Sequence, residues 1–195
     1  MQPIAFVIGN GESRRGIDLN KLHERGKTFG CNALYRDFAP DYLGALDTAM
    51  CEEIIQSGYA DTHKFFCNID FPGRKFEKLP ASKWGLTGEA MIRLALQMSA
   101  EIIILVGFDF DNLHNRKDFL NALINNIYAG TPHYPETKYE VGNSNGISMM
   151  QDIMNEYFEI EFYSLGIIPR ALGKRLKPIT VETVYHLPVI KPHWR

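Results

Sequence analysis

The apolar run Ile4–Ile8 and the glycine-rich turn after it constrain this chain more than any other feature. An unbroken apolar run with β-branched residues predicts a strand buried on both faces, as in a parallel sheet. The run opens into Gly9, Asn10 and Gly11, followed by Ser13, a pattern typical of the turn where α/β proteins hold nucleotide phosphates. The third glycine of the dinucleotide fingerprint is absent, so a tight turn without a ligand is an equal alternative.

The rest of the chain alternates predicted strands and helices. The pattern predicts further strands over 27–33, 42–47, 63–67, 101–110 and 159–165, and helices over 18–23, 48–57, 87–98, 117–128 and 147–158. This alternation predicts an α/β fold: a Rossmann-like, mainly parallel sheet with helices on both faces.

The domain organisation follows from the same pattern. We expect a single Rossmann-like nucleotide-binding domain over residues 1–166, with a lid or insert over 111–145. Residues 167–195 are then a Pro-rich C-terminal extension, in which 181–189 would add an edge strand.

Composition excludes several functional classes. The 195 residues suit one domain, and a net charge of -2 gives no case for nucleic acid or an anionic membrane as partner. The three cysteines lack metal-ligand spacing, and their odd number argues against a disulfide framework. The longest apolar run, 102–108, is too short to span a bilayer, and the N-terminus lacks a signal-peptide pattern. We expect a cytoplasmic protein, and a homo-oligomer is plausible.

Polar residues follow the predicted strands where such sheets bind ligands, at the carboxyl ends. They are Asn10, Ser13, Asn32, Asp47, Asn68, Asp109 and Asp111. Any sheet needs polar turn residues there, so the coincidence supports a ligand site without proving one. Asp47 could bind a ribose hydroxyl or cap the helix that follows, and Arg14 and Arg15 could meet phosphates.

Four motifs in order resemble those of two related families. The motifs are 7–13, 29–32, 86–88 opening a helix, and 104–110, which together span about half of the chain. One family is the bacterial sialyltransferases that use a cytidine-monophosphate sugar. The other is the domain-of-unknown-function group that includes the archaeal hydroxymethylpterin diphosphokinase.

The resemblance implies a nucleotide held at the ends of the first, second and fifth strands. Carried over by position, Asn10 and Asn32 would contact the phosphate and sugar of the nucleotide. Thr87 and Gly88 would bind near the cytosine at a helix N-terminus, where free N–H groups point outward. Residues 107–109 would line the adjacent wall.

The chain departs from the sialyltransferase pattern at the catalytic base. The histidine expected before the last helix is missing from 141–146, and Asp111 stands where a tyrosine is expected. The candidate bases are therefore Asp109, Asp111, His133 and His114, although each histidine alone is better explained as a surface residue. Asp109 and Asp111 could instead hold Mg²⁺ between phosphates, or simply form the turn.

The sequence therefore leaves three functions open. The first is a nucleotide-sugar-dependent glycosyltransferase-like enzyme, with a nucleotide and a sugar acceptor as its ligands. The second is a catalytically inactive nucleotide-binding or interaction protein, and the third is Mg²⁺-dependent diphosphate transfer. Aromatic residues in the predicted loops could stack on a base or sugar, namely Tyr35, Trp84, Tyr134 and Tyr139.

Overall fold

The computed structural model describes residues 2–110, 126–134 and 144–189. These residues form a seven-stranded sheet in which every neighbouring pair is parallel, in the order β4-β3-β2-β1-β5-β6-β7. The strands are β1 Ile4–Ile8, β2 Lys27–Cys31, β3 Tyr42–Ala45, β4 Phe65–Cys67, β5 Ile102–Val106, β6 Glu161–Ser164 and β7 Leu176–Pro178. The predicted α/β fold is confirmed.

Helices cover both faces of the sheet, as expected. They are α1 Leu19–His23, α2 Thr48–Gln56, α3 Tyr59–Thr62, α4 Thr87–Gln97, α5 Ser144–Glu156 and α6 Val181–Tyr185. Two 3₁₀ helices follow the first two strands: Glu12–Arg14 comes after the glycine turn that ends β1, and Asn32–Arg36 comes directly after β2. Residues of α4 and α5 share one apolar core with the sheet, and residues of α1, α2, α3 and α6 share the other.

The apolar run of β1 forms the centre of both cores. Ala5 and Val7 belong to the core under α4 and α5, whereas Phe6 and Ile8 belong to the opposite core, and all four are fully buried. Burying a side chain such as Phe6 contributes about 1.5–3 kcal/mol. Because both faces of β1 are packed, every position of this strand requires an apolar residue.

The strand order reverses beside β1, and this opens a crevice at the carboxyl edge of the sheet. The chain runs outward from β1 to β4 and then returns to β5 on the other side of β1. The ends of β1 and β5 are held by Gly9 N–H donating to Val106 O (2.8 Å) and Gly11 N–H donating to Gly107 O (2.9 Å). Open α/β sheets bind their ligands at such a switch point.

The C-terminal region departs from one expectation. Instead of an edge strand over 181–189, residues Val181–Tyr185 form α6, and the edge strand is β7. Thr180 accepts a hydrogen bond from Thr183 N–H as the helix cap, and Val184 is fully buried. A short apolar pattern fits both the two-residue repeat of a strand and the 3.6-residue repeat of a helix. The capping threonine, Thr180, is therefore the feature that favours a helix here.

Two further expectations concern the middle of the chain. Of the helix predicted over 117–128, residues 117–125 lie outside the described part of the chain. Residues 127–128 form a turn. No helix among the described residues is long and apolar enough to cross a membrane.

Candidate functional site

A cleft of about 370 Å³ lies at the carboxyl ends of β1, β2 and β5. Strand ends, the first turn of α4, the start of α5 and the 126–134 turn all contribute to its lining. The lining residues are Gly9, Asn10, Cys31, Asn32, Leu86, Thr87, Gly88, Gly107, Phe108, Asp109, Phe110, Asn126, Tyr134, Gly146 and Met149. The structure thus brings together six of the predicted site residues: Gly9, Asn10, Asn32, Thr87, Gly88 and Asp109.

Asn32 and Thr87 meet directly across the cleft wall. The Thr87 hydroxyl donates to Asn32 Oδ1 over 3.1 Å, and Thr87 is buried. Asn32 has a left-handed backbone with φ 53°, a conformation that asparagine tolerates better than most residues. This bond orients the Asn32 amide so that its Nδ2 group remains available as a donor.

The N-terminus of α4 opens into the cleft beside this pair. Leu86 occupies the cap position without a side-chain cap, so Thr87 is the first helical residue rather than the cap. The first N–H groups of a helix have no acceptor within it and carry a partial positive charge. Gly88 allows the Phe108 ring to approach, since a Cβ at position 88 would lie 2.9 Å from Phe108 Cε1.

Asn10 and Tyr134 form the opposite side of the cleft. Asn10 Nδ2 donates to the Tyr134 hydroxyl oxygen over 3.3 Å, and Asn10 Oδ1 is buried without a partner among the described residues. Burial raises the pKa of Tyr134 to about 12, although hydrogen bonds from Asn10 and the Ala33 backbone oppose the shift. The phenol therefore stays protonated at neutral pH and can donate to a ligand.

The two carboxylate oxygens of Asp109 differ in their hydrogen-bond partners. Its Oδ2 accepts the Ser13 backbone N–H over 3.0 Å, whereas Oδ1 is buried without a partner in the described part of the chain. A Cβ at Gly11 would lie 2.6 Å from the Asp109 carboxylate. Gly11 is thus needed because Asp109 approaches it closely.

A buried carboxylate fixes the chain that leads into α4. Glu89 is fully buried and accepts from the Ser82 hydroxyl (2.6 Å) and from the backbone N–H groups of Lys83 and Trp84. It also pairs with Arg93 at 3.0 Å. Burial opposes ionisation, but these hydrogen bonds outweigh it and lower the pKa of Glu89. The first turn of α4 is therefore anchored from behind the cleft.

Several predicted site residues lie elsewhere. Gly11 and Ser13 support the end of β1 and do not line the cleft. Asp47 is exposed at the cap position of α2, where its side chain makes no capping hydrogen bond. His133 lines a separate groove, where its Nε2 lies 3.3 Å from Glu53 Oε2. This position gives no geometric support to a role for His133 as the base in the cleft. Asp111 and His114, like Tyr139, lie outside the described residues.

The basic pair after the glycine turn is already engaged. Arg14 is buried, pairs with Asp37 at 3.2 Å and donates to the Tyr128 hydroxyl over 2.6 Å. Arg15 pairs with Glu12 at the surface. Neither arginine lines the cleft and both already pair with a carboxylate, so the geometry gives no support to a phosphate contact by this pair in the cleft.

The cleft carries little formal charge. Asp109 is the one charged group among its described lining residues. Within residues 2–110, 126–134 and 144–189, no group of three or more His, Cys, Asp or Glu is arranged to hold a metal ion. A phosphate here would be bound by helix N–H groups and neutral side chains rather than by arginine or lysine.

Sequence reasoning missed part of the lining. Asn126, Gly146 and Met149 enter the cleft from segments that sequence alone could not align with the sheet. Of the four aromatic candidates, Tyr134 lines the cleft, whereas Tyr35 donates to Glu53 and Trp84 to Asp152.

The chain is similar to known proteins in fold but not in sequence. No protein-family model and no curated protein matches the chain in sequence. Among solved structures it is similar to the sialyltransferase CstII from Campylobacter jejuni in complex with cytidine-5'-monophosphate, with 13% identity, a TM-score of 0.57, and coverage of 99% of this chain and 91% of that one. A variant of that enzyme with CMP gives 12% identity, TM-score 0.58 and 98% and 92% coverage.

A third structure, of the same sialyltransferase with a trisaccharide acceptor and CMP, gives 14% identity, a TM-score of 0.51 and coverage of 98% and 92%. The likeness extends over nearly the whole of both chains. It therefore establishes a sialyltransferase-like fold, and at this identity it establishes no activity.

Proposed function

We propose that this chain is a nucleotide-sugar-dependent glycosyltransferase-like enzyme whose cleft holds a cytidine nucleotide. The observation that carries the proposal is the convergence of Asn10, Asn32 and Thr87, which lie far apart in sequence, on one cleft at the switch point of the sheet. A volume of about 370 Å³ falls within the usual range for small-molecule sites. The structures similar in fold were solved with CMP.

Each group in the cleft has a proposed task. The N-terminus of α4, at Thr87 and Gly88, binds the cytosine carbonyl or an anion through its free N–H groups. Asn10 and Asn32 contact the phosphate and the sugar of the nucleotide. The protonated Tyr134 phenol donates to a phosphate oxygen as negative charge develops on the leaving nucleotide.

Transfer needs a base for the acceptor. In the proposed reaction the acceptor hydroxyl loses its proton and attacks the anomeric carbon, while the bond to the phosphate oxygen breaks and CMP leaves. Asp109 is the base candidate that the structure supports best, because the residue lines the cleft and its buried Oδ1 has no partner among the described residues. Asp111 remains a second candidate in the proposal.

The binding part is tested by thermal shift and calorimetry with CMP, CTP, AMP and UMP, with and without Mg²⁺. A ligand that binds the native state alone raises the melting temperature. We expect CMP to bind, and Thr87→Val to weaken it by about tenfold through loss of one hydrogen bond. Thr48→Val is the matched control, since Thr48 is also the first residue of a helix but is exposed and outside the cleft.

The catalytic part is tested by hydrolysis of CMP-sugars and by transfer to a panel of oligosaccharides. Asp109→Asn should retain CMP binding and lose turnover. CMP binding without turnover of any donor would favour the nucleotide-binding protein that has lost its chemistry. Absence of any shift with all four nucleotides would favour an interaction module.

Diphosphate transfer is supported less well. Asp109 lines the cleft, but its proposed partner Asp111 lies outside the described residues. The solved structures with a similar fold are sialyltransferases, so the pterin diphosphokinase side of the resemblance stays a prediction. Binding of CTP that strictly requires Mg²⁺ would revive this alternative.

A further inference from the structure

Arg36 connects the two sides of the cleft without lying in it. It ends the 3₁₀ helix Asn32–Arg36, whose first residue is one of the cleft residues. The guanidinium forks onto the Glu53 carboxylate, with Nε 2.8 Å from Oε1 and Nη2 2.6 Å from Oε2. Glu53 lies on α2, so Arg36 is held against the body of the domain.

The remaining N–H groups of the same guanidinium bind the turn 126–134. Nη1 donates to the Thr131 hydroxyl over 2.7 Å, and Nη2 donates to Pro132 O over 3.0 Å. The guanidinium carbon also lies 5.5 Å from the ring centroid of Tyr128 and 5.9 Å from that of Tyr134. Hydrogen bonds and cation–π contacts thus fix both the backbone of the turn and the aromatic ring that enters the cleft.

The turn presents consecutive side chains to two different spaces. Arg36 and His133 line a groove of about 540 Å³ against α2, whereas Tyr134 lines the cleft. His133 adopts φ 65°, a left-handed conformation that is costly for a non-glycine residue. Arg36 therefore lies where it can act on the cleft through the turn and not by touching a ligand.

We propose that Arg36 is a positioning residue that sets the Tyr134 hydroxyl against Asn10. Its fork onto Glu53 gives the guanidinium one orientation, and that orientation places Thr131, Pro132 and the Tyr134 ring together. Lysine would keep the charge but lose the planar fork and most of these simultaneous contacts. The effect on ligand affinity rests on the proposed nucleotide site, whereas the placement of Tyr134 does not.

The placement is tested without ligand. In protein labelled with ¹³C at the tyrosine ring ε carbons, Tyr134 is assigned by loss of its resonance in Tyr134→Phe. We expect Arg36→Lys to shift or broaden this resonance. The matched control is Arg93→Lys, since Arg93 is similarly buried (15% against 20% side-chain exposure) and also bridges two partners but does not contact the turn. An unchanged Tyr134 resonance in folded Arg36→Lys would overturn the proposal.

The consequence for binding is tested by a double-mutant cycle with CMP. Arg36→Lys should weaken CMP binding by about tenfold in the wild-type background and by less than about twofold in Tyr134→Ala, because its effect passes through that ring. Equal losses in both backgrounds would contradict the proposal. If the wild-type protein does not bind CMP at all, the proposed function fails, and the ring resonance still decides the role of Arg36.

Discussion

The two walls of the cleft are held by different forces. On the strand side, glycines allow backbone to pack on backbone: a Cβ at Gly9 would lie 2.6 Å from Gly107 O. On the side of the 126–134 turn, ion pairs of Arg14 with Asp37 and of Arg36 with Glu53 add side-chain connections to the backbone bond from Ile127 N–H to Asn10 O. The strand-side wall therefore depends mainly on steric fit, whereas the turn depends largely on ionised groups, so we expect the two walls to respond differently to pH.

The largest loss of stability is expected when a methyl group is added to the strand-side wall. Gly9→Ala drives a methyl group into the Gly107 carbonyl and the Phe108 ring, which should destabilise the fold by about 3 kcal/mol. Urea denaturation measures the change. Gly146→Ala is the control, because its Cβ would meet the Phe110 ring at an ordinary 3.8 Å and a helical alanine stabilises by up to about 1 kcal/mol. Equal stability of the two variants would refute the steric account.

A smaller, pH-dependent effect is expected at the turn. Burial opposes ionisation of Glu53. Hydrogen bonds from Arg36 and Tyr35, together with the charges of Arg36 and His133, outweigh this burial and lower the pKa of Glu53 below the usual 4.5. Glu53→Gln should therefore cost about 1–2 kcal/mol at pH 7.

The sign of the pH effect follows from the depressed pKa of Glu53. Its stabilisation is fully present above about pH 4.5 and is lost as the pH falls through the folded-state pKa. Urea unfolding of wild type and Glu53→Gln at a series of pH values from 7 to 3 should show the gap closing at the acid end. Gly9→Ala should keep its deficit over the same range, and a parallel loss in both variants would erase the distinction between the walls.

The smallest change in stability is expected at Asn32, which accepts the Thr87 hydroxyl in the cleft. Asn32→Gly relieves the left-handed backbone at φ 53° while losing the bond from Thr87, so the free energy of unfolding should change by less than about 1 kcal/mol. Asn32→Ala loses the same bond and keeps the strain, so it should be the less stable of the two. Calorimetry with CMP should show a similar loss of affinity in both variants, if the amide is what the ligand needs.

Much of the fold could be predicted because its signals are local. The apolar run of β1 and the apolar face of α4 each lie within about a dozen residues, and both elements appear where expected. The meeting of Asn10 and Asn32 could also be predicted, since parallel strands end at one edge of the sheet. The place of Thr87 beside them was implied by the family resemblance and not by the strand pattern.

The remainder depends on contacts that sequence does not encode locally. Arg14 looked available for phosphate, but its partners Asp37 and Tyr128 are distant in sequence. His133 and Tyr134 are neighbours that face different spaces because of one left-handed residue. The hydrogen bond from the Thr87 hydroxyl to Asn32 joins residues 55 positions apart, and no local pattern indicates it.

The central place of β1 has a consequence for how the protein acquires its binding capacity. β1 pairs with β5 across nearly a hundred residues of intervening chain, and the cleft draws on residues from Gly9 to Met149. Such distant pairing is expected to close late, and a nascent chain that has emerged only as far as β4 lacks α4 and β5, which supply much of the cleft lining. A nucleotide that needs the finished cleft should then slow unfolding while leaving the refolding rate almost untouched.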